Sequence, residues 1–191
     1  MLFHFFILFS FLIAAPEIDQ PVELSGPDHI SLIVHQDLIN DFFINLGKIK
    51  GKKKSFDWNL KNPKINISSE KAVFNAEIQL YNNLLSVTQD VVGKVDVSYD
   101  KLNNLIIIKI VDADVIIDIA GYDIGKIDIA GYFSKPLKLN GPQAVSDNIE
   151  FAMPSGNSKK IDVVVNSYSL KLIEGGIKLS TSLGFNNIIK E

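Results

Sequence analysis

Two histidines with neighbouring carboxylates are the first residues whose types could do chemistry. His29 and His35 stand on either side of a short apolar segment, next to Asp28 and Asp37. Two imidazoles and a carboxylate can bind a metal ion. However, their spacing, on a predicted strand followed by the start of a helix, does not fix a ligand geometry. We therefore expect these to be ordinary polar residues, with no metal site and no cofactor.

A series of aspartates offers a second kind of chemistry. Asp112, Asp114 and Asp118 share one side of a predicted strand, and Asp123 and Asp128 follow. Paired carboxylates can act as acid and base in glycoside hydrolysis or ligate calcium. Carboxylates at alternate positions are also what a solvated sheet face needs. With no cysteine and no nucleophile-elbow motif around a serine, we expect no enzymatic activity, and a hydrolase using these carboxylates is the less favoured alternative.

A dense run of lysines, GKIKGKKK, follows the predicted helix. Such a cluster can contact anionic lipid headgroups, at around 1 kcal/mol per lysine near a charged surface, and a solvated loop is the favoured alternative. The candidate membrane-surface residues are Lys48, Lys50, Lys52, Lys53 and Lys54. The 19 basic residues are all lysine and the net charge is −3. This near balance of charge argues against a nucleic-acid partner.

The N-terminal residues carry a predicted targeting signal. Residues 1–15, MLFHFFILFSFLIAA, form an apolar run ending in small residues, which is typical of a secretory signal peptide. Residues 16–28 are rich in proline and acid and predict a tether, and residues 29–191 form a single β-rich domain. We expect a secreted or periplasmic protein, with an uncleaved membrane anchor as the alternative. Without cysteine, neither a disulfide nor a lipidated cysteine is available.

Apolar residues at every second position dominate the stretch 91–133, which predicts a sheet with one dry and one wet face. One stripe runs from Val91 to Tyr99, a second from Val111 to Ile119, and a third begins at Ile127. The apolar phase slips by one residue near Ile110–Val111. Such a slip indicates a β-bulge, which bends a strand and increases its twist.

The elements around this stretch complete an α+β prediction. Within residues 36–46 the apolar side chains recur with helical spacing, and the predicted helix ends at Gly47. Strands are predicted for HISLIV, SFDWNL, KINI and AVFNAEIQLY, and a hairpin is predicted to turn at Gly175–Gly176. The total is about nine strands and one substantial helix, and the similar segments IDIAGYD and IDIAGYF indicate a meander of similar strands.

The order of these segments resembles the tubular lipid-binding superfamily, especially its small bacterial periplasmic members. The resemblance lies in ISLIVHQDLINDFF, NPKINISSEKAVFNAEIQL and VVGKVDVSYDKLNNLIIIKIVDADV, and covers roughly residues 29–120. It implies a highly curved antiparallel sheet that wraps one N-terminal amphipathic helix and encloses an apolar groove for lipid. It supplies no catalytic residues.

These patterns predict an exported, non-enzymatic binder or carrier of a lipid or other hydrophobic ligand. The dry face is too large to leave in water at about 25 cal/mol per Å², and one short helix cannot cover all of it. The predicted cavity lining is Leu38, Phe42, Phe43, Phe74, Ile78, Val97, Tyr99, Val115 and Ile117. The alternative is a structural β-sandwich-like envelope module that binds another protein and has no ligand cavity. The sequence predicts neither the ligand nor the oligomeric state.

Overall fold

A computed structural model describes residues 28–119, 122–142, 148–154, 156 and 158–187. Within these residues the chain forms twelve strands, one α-helix and one short 3-10 helix. The strands are β1 (Ile30–His35), β2 (Lys50–Lys53), β3 (Phe56–Ile67), β4 (Ala72–Tyr81), β5 (Ser86–Asp100), β6 (Leu105–Asp112), β7 (Asp114–Ile119), β8 (Tyr122–Asp128), β9 (Leu137–Asn140), β10 (Asn148–Ala152), β11 (Ser158–Ile173) and β12 (Gly176–Asn187). The α-helix α1 spans Gln36–Asn45 and the 3-10 helix spans Ala130–Phe133. The predicted signal peptide, residues 1–15, and all but the last residue of the tether lie outside the described residues.

Six strands form a strongly curled, half-barrel sheet, which we call the curled sheet. Its strand order is β2-β3-β4-β5-β6-β9, and every pairing is antiparallel. Alternation dictates which side is dry, as β4 shows: Phe74, Ile78 and Leu80 are almost fully buried, while Asn75, Glu77 and Gln79, on the other face, are part-exposed. The antiparallel, one-helix character predicted from the sequence is confirmed.

The predicted phase slip is a β-bulge that ends the pairing of β5 with β6. Val95 pairs with Ile110 but Lys94 pairs with Asp112, so Val111 has no partner across the ladder. At this point Gly93 lies so close to the neighbouring strand that a Cβ on it would collide with the backbone oxygen of Asp112. The chain then leaves the curled sheet, and this is the bend that the slip predicts.

Beyond the bend, β7 and β8 form a separate two-stranded hairpin. Its inward residues Val115, Ile117 and Ile127 are buried in the same core as the curled sheet. The predicted third stripe is wrong past Ile129, because β8 ends at Asp128 and the chain turns into the 3-10 helix. The Gly131 amide is held by the Asp128 side chain at 2.8 Å, which stabilises this tight turn.

The strand count of about nine is too low because several strands lack a clear alternating pattern. Lys50–Lys53 forms an edge strand although its sequence is KGKK, so the predicted loop is wrong at these residues. Conversely, SFDWNL and KINI belong to one strand, β3, which continues through a register shift between Lys61 and Lys64. Asn62, at a positive φ of 51°, and Pro63 lie inside this shift, where proline is tolerated.

The remaining four strands form a second antiparallel sheet with the order β1-β12-β11-β10. Its inner half packs on the core through Val34, Ile177 and Leu179. Its outer half consists of β10, residues 158–165 of β11 and residues 183–187 of β12, and we call this part the ribbon. A register shift between Val165 and Ser167 separates the two halves of β11.

Helix α1 lies against β3, and side-chain hydrogen bonds attach it there. β2 pairs only with residues 56–59 of β3, so the far half of that strand edge needs other partners. Asn40 supplies two of them, since its Oδ1 accepts from the Ile65 amide at 2.7 Å and its Nδ2 donates to the Ile65 carbonyl at 3.1 Å. Gln36 Oε1 accepts from the Ile67 amide at 3.0 Å. The helix therefore replaces a strand at this edge.

Candidate functional site

An apolar crevice lies between α1, the 3-10 helix and the inner face of the curled sheet. The helix contributes Ile39, Phe42 and Phe43, and the opposite wall is Phe133 with Leu137. The complete lining is Ile39, Phe42, Phe43, Ile65, Ile108, Ile110, Phe133, Lys135 and Leu137. Its volume is about 20 Å³, which is room for about one water molecule. The crevice is therefore shut in this structure.

Three aromatic rings pack edge-on or tilted against one another beside the crevice. The Phe133 ring lies edge-on to Phe43 at 5.5 Å and to Phe74 at 5.4 Å between ring centroids, and Phe43 and Phe74 are 5.8 Å apart. These are the distances at which aromatic pairs attract beyond the burial of their area. Phe43 and Phe74 are buried, whereas Phe133 is only half-buried. Phe133 is thus the ring on the solvent side of the cluster.

The 3-10 helix separates this crevice from a second, polar cleft. Its Tyr132 ring lies 5.0 Å from Trp58, edge-on, and both line an open cleft of about 420 Å³ between β2 and β8. Lys52, Lys53 and Lys126 border the cleft. Two neighbouring residues of one short helix therefore place one ring in each depression.

Apolar side chains remain in water on the outer side of α1. Only Ile39 and Phe43 of this helix are buried, while Leu38 is 57% exposed and Phe42 is 38% exposed. Leu38 and Phe42 are four residues apart and so lie on one side of the helix. The apolar surface of the helix thus continues from the crevice out to the solvent.

The predicted cavity-lining residues divide into three groups in the structure. Phe42 and Phe43 line the crevice, and Leu38 lies beside them on the helix surface. Phe74, Ile78, Val115 and Ile117 are buried in packed core. Val97 and Tyr99 pack at the periphery of that core.

Tyr99 has a polar role that the sequence did not predict. Its hydroxyl donates to Asn104 Oδ1 at 2.8 Å, and its ring lies edge-on to Tyr168 at 5.0 Å. Burial raises the pKa of the Tyr99 hydroxyl, and the nearby Tyr168 and Asp100 add to this. The residue connects β5 of the curled sheet to β11 of the second sheet.

The predicted membrane-surface lysines lie on β2 and in the turns beside it. Lys52 forms an exposed ion pair with Asp57 at 3.4 Å. Lys53 faces the inner side next to Gly125 and borders the polar cleft. Lys48, Lys50 and Lys54 are exposed.

The histidines have structural positions. His29 Nδ1 accepts from the Leu183 amide at 2.8 Å, while His35 is exposed at the N-cap of α1 without a side-chain cap. Among the described residues, no three histidine, aspartate or glutamate side chains lie close enough together to hold a metal ion.

The aspartates stand on the wet face at the end of β6 and along β7 and β8, as far as their side chains are described. Asp114 pairs with Lys126, and this hydrogen bond raises the pKa of the lysine. Asp128 binds the Gly131 amide at 2.8 Å, and Asp112 and Asp118 are exposed. The side chain of Asp123 is outside the description.

Sequence reasoning missed Phe133 and its neighbours in the crevice wall. The segment IDIAGYF copies the segment IDIAGYD up to its last residue, so the repeated alternation predicted a further strand there. The one available signal was the final residue, phenylalanine in place of aspartate. If residues 127–133 formed a strand that ended in an ordinary surface turn, Phe133 would lie exposed in that turn. A large apolar residue there therefore indicates that the turn packs against the core.

In the part of the chain that the structure describes, no helix is long and apolar enough to cross a membrane. Comparison of the sequence with protein-family models and curated proteins, and of the fold with solved structures, gives no match to this protein.

Proposed function

We propose that this protein is an exported, non-enzymatic binder or carrier of a lipid or other hydrophobic molecule. The apolar tail of the ligand enters the crevice under α1, inside the curve of the curled sheet. The observation that carries the proposal is the pair Leu38 and Phe42, which continue the apolar lining outward into water. Exposed apolar residues that adjoin an apolar depression are a typical mark of a ligand entrance.

Admission of a ligand requires the crevice to open, and the 3-10 helix is the wall that can move. Helix α1 is held to β3 by three side-chain hydrogen bonds. The 3-10 helix, in contrast, spans only Ala130–Phe133, and two hydrogen bonds from the amides of Gly131 and Tyr132 hold its turn. Outward rotation of Phe133 would leave a space between Phe43, Phe74 and Ile108 for an acyl or similar chain.

The small volume of the closed crevice also supports a second candidate function. A filled core is what a structural module that binds another protein requires, with no ligand cavity. In that case Leu38 and Phe42 contact a protein partner and Phe133 stays in place. The two functions differ in whether a hydrophobic molecule copurifies with the folded chain.

The deciding experiment is extraction of the purified full chain with organic solvent, followed by mass spectrometry. The proposal expects a lipid or other apolar molecule in stoichiometric amount. Substitution Phe42→Ser, in the crevice lining, is expected to lower the amount bound by about tenfold, because burial of a phenyl side chain is worth at least that factor.

Ile44→Ser is the matched control, since Ile44 lies on the same helix and is 75% exposed but does not line the crevice. It should leave binding unchanged. Equal losses in both variants would contradict a ligand in the crevice. No bound molecule in the wild-type chain would favour the protein-binding module instead.

A further inference from the structure

The ribbon has one face that is apolar and open to solvent, away from the crevice. In antiparallel sheets, directly opposed residues share a face, and Ile149 opposes Ile161 while Val163 opposes Phe185. Phe185 is 67% exposed and Phe151 is 50% exposed. We call this surface the apolar ribbon face, and its residues are Ile149, Phe151, Ile161, Val163, Val165, Leu183 and Phe185.

The apolar ribbon face continues the side of the sheet that faces the core. On β12 the alternation runs unbroken from Ile177 and Leu179 in the core to Leu183 and Phe185 in the ribbon. On β11 the phase changes, and the bulge at Asn166 compensates for the change. The same side therefore stays apolar along both strands, although the core covers only its inner half.

The charges of the ribbon are few and balanced. Lys159 and Lys160 near the tip are matched by Glu150 and Asp162 within the described residues of the ribbon. Of these four, only Lys159 lies on the apolar side, opposite Phe151. The surface thus offers apolar contact with almost no electrostatic attraction for anions or cations.

The area of this face is too small for a stable dimer. Three strands about 4.8 Å apart, with about five to eight residues each at 3.3 Å, cover roughly 300 Å². A stable interface between two proteins needs about 800 Å² from each partner. A lipid surface has no such minimum, because each apolar side chain that enters it contributes independently.

The attachment of the N-terminal segment indicates where a membrane would lie. The chain enters β1 beside the ribbon, where the Asp28 carboxylate binds Lys178 Nζ at 2.7 Å and His29 binds the Leu183 amide. The apolar run of residues 1–15 connects to this point through about a dozen residues, which can span about 40 Å at most. In the alternative in which residues 1–15 remain as an uncleaved anchor, the membrane that holds them is within reach of the ribbon.

We propose that the apolar ribbon face docks on the surface of a lipid bilayer, with Phe151 and Phe185 inserted among the lipid chains. The exposed Met153, just beyond β10, extends the same contact at the tip. This surface shares no residue with the crevice, so it does not depend on the proposed function. Because its charges balance, docking is insensitive to salt and to anionic lipid.

The test uses the absence of cysteine from the chain. Phe185→Cys and Asn186→Cys, made in the full chain, place a thiol on opposite faces of one strand, and each is labelled with an environment-sensitive fluorophore. Vesicles of phosphatidylcholine carry nitroxide-labelled lipid as the quencher. We expect at least about threefold more quenching at position 185 than at 186, since neighbouring strand residues point to opposite sides.

Phe151→Cys and Glu150→Cys repeat the comparison on β10, and circular dichroism verifies that each variant is folded. Adding phosphatidylglycerol or salt should leave the difference between faces unchanged. Equal quenching on the two faces, or none, would overturn the proposal. Shielding of the label at position 185 from solvent in the absence of lipid would also overturn it. Shielding that increases with protein concentration would mean that a second copy covers the face, and shielding that does not would mean that the chain's own N-terminal run covers it.

Discussion

The curled sheet and the ribbon are built from the same alternating pattern but differ in what covers their apolar side. In the curled sheet, α1, the 3-10 helix and the β7–β8 hairpin cover the inner face, so that Phe74 and Ile78 are fully buried. In the ribbon, no described element covers the face that carries Phe151 and Phe185. Alternation therefore determines that a sheet has a dry side, while the rest of the chain determines whether that side is core or contact surface.

The largest expected difference is between two phenylalanines, one in each region. Phe74→Ala removes a fully buried ring and should lower the free energy of unfolding by about 3–5 kcal/mol. Phe185→Ala removes a ring that is 67% exposed and should change it by less than about 0.5 kcal/mol. Urea unfolding followed by far-ultraviolet circular dichroism measures both.

A loss at Phe185 close to that at Phe74 would break the comparison. It would mean that the ribbon face is covered in the isolated protein. The covering element would then have to come from residues outside the described part of the chain or from a second copy.

Alanine substitution of two glycines, one in the curled sheet and one in the ribbon, compares how tightly the two regions are packed. A Cβ at Gly93 would collide with the Asp112 backbone oxygen and approach Ala113 Cβ at 2.7 Å. Gly93→Ala should therefore cost about 1–3 kcal/mol, as overpacking does. A Cβ at Gly184 would meet the end of the Asn166 side chain at 2.6 Å, which can rotate away, so Gly184→Ala should cost well under about 1 kcal/mol.

Thermal unfolding of the two alanine variants ranks them directly. A small cost for both variants would show that the bend at Val111 relaxes to admit the added methyl group. A large cost for both would show that the Asn166 side chain cannot rotate away, and the ribbon would then be a rigid extension of the second sheet.

The smallest expected effect is a pH dependence at the base of the ribbon. Hydrogen bonds from Lys178 and Ser180 hold the pKa of Asp28 below its ordinary value of 3.8. The folded state thus favours the carboxylate, and this contribution is present above that pH and is lost as the pH falls through the folded-state pKa. The melting temperatures of wild type and Asp28→Asn should differ slightly at pH 7 and converge below pH 3.8.

A difference between wild type and Asp28→Asn that persists at low pH would contradict a role for the charge. The effect is small because this ion pair is only partly buried, with 34% of the Lys178 side chain and 35% of the Asp28 side chain exposed to solvent. This pH dependence of the melting temperature reports on the attachment of β1 to β12, because Asp28 has no contact with the curled sheet among its hydrogen bonds.

Local pattern predicted the parts of the fold in which polar and apolar residues alternate. β4 has the predicted bounds, and the slip of phase near Ile110 correctly predicted the bulge that ends the β5–β6 pairing. β2 could not be predicted, because KGKK has no apolar stripe and is a strand only through its pairing with residues 56–59. The 3-10 helix could not be predicted either, because its Tyr132 and Phe133 pack on the rings of Trp58, Phe43 and Phe74, which come from distant parts of the sequence.

The site was predictable to about the same degree. Helical spacing identified Phe42 and Phe43 as members of the apolar stripe of α1, and both line the crevice. It did not identify Phe133, since that residue reaches the crevice through a turn in a segment whose alternating pattern predicts a strand. It also did not separate lining from packed core, because Phe74 and Ile78 have the same alternation as residues around a cavity.

The paired rings of the 3-10 helix give the protein an optical readout of its own. Trp58 is the only tryptophan of the chain, and its indole contacts Tyr132, the residue next to Phe133. A molecule that displaces Phe133 from between Phe43 and Phe74 by turning this short helix also moves the neighbouring Tyr132 relative to the indole. The emission of Trp58 should therefore change in wavelength or intensity on ligand entry, and titration of the unlabelled protein can follow occupancy of the crevice.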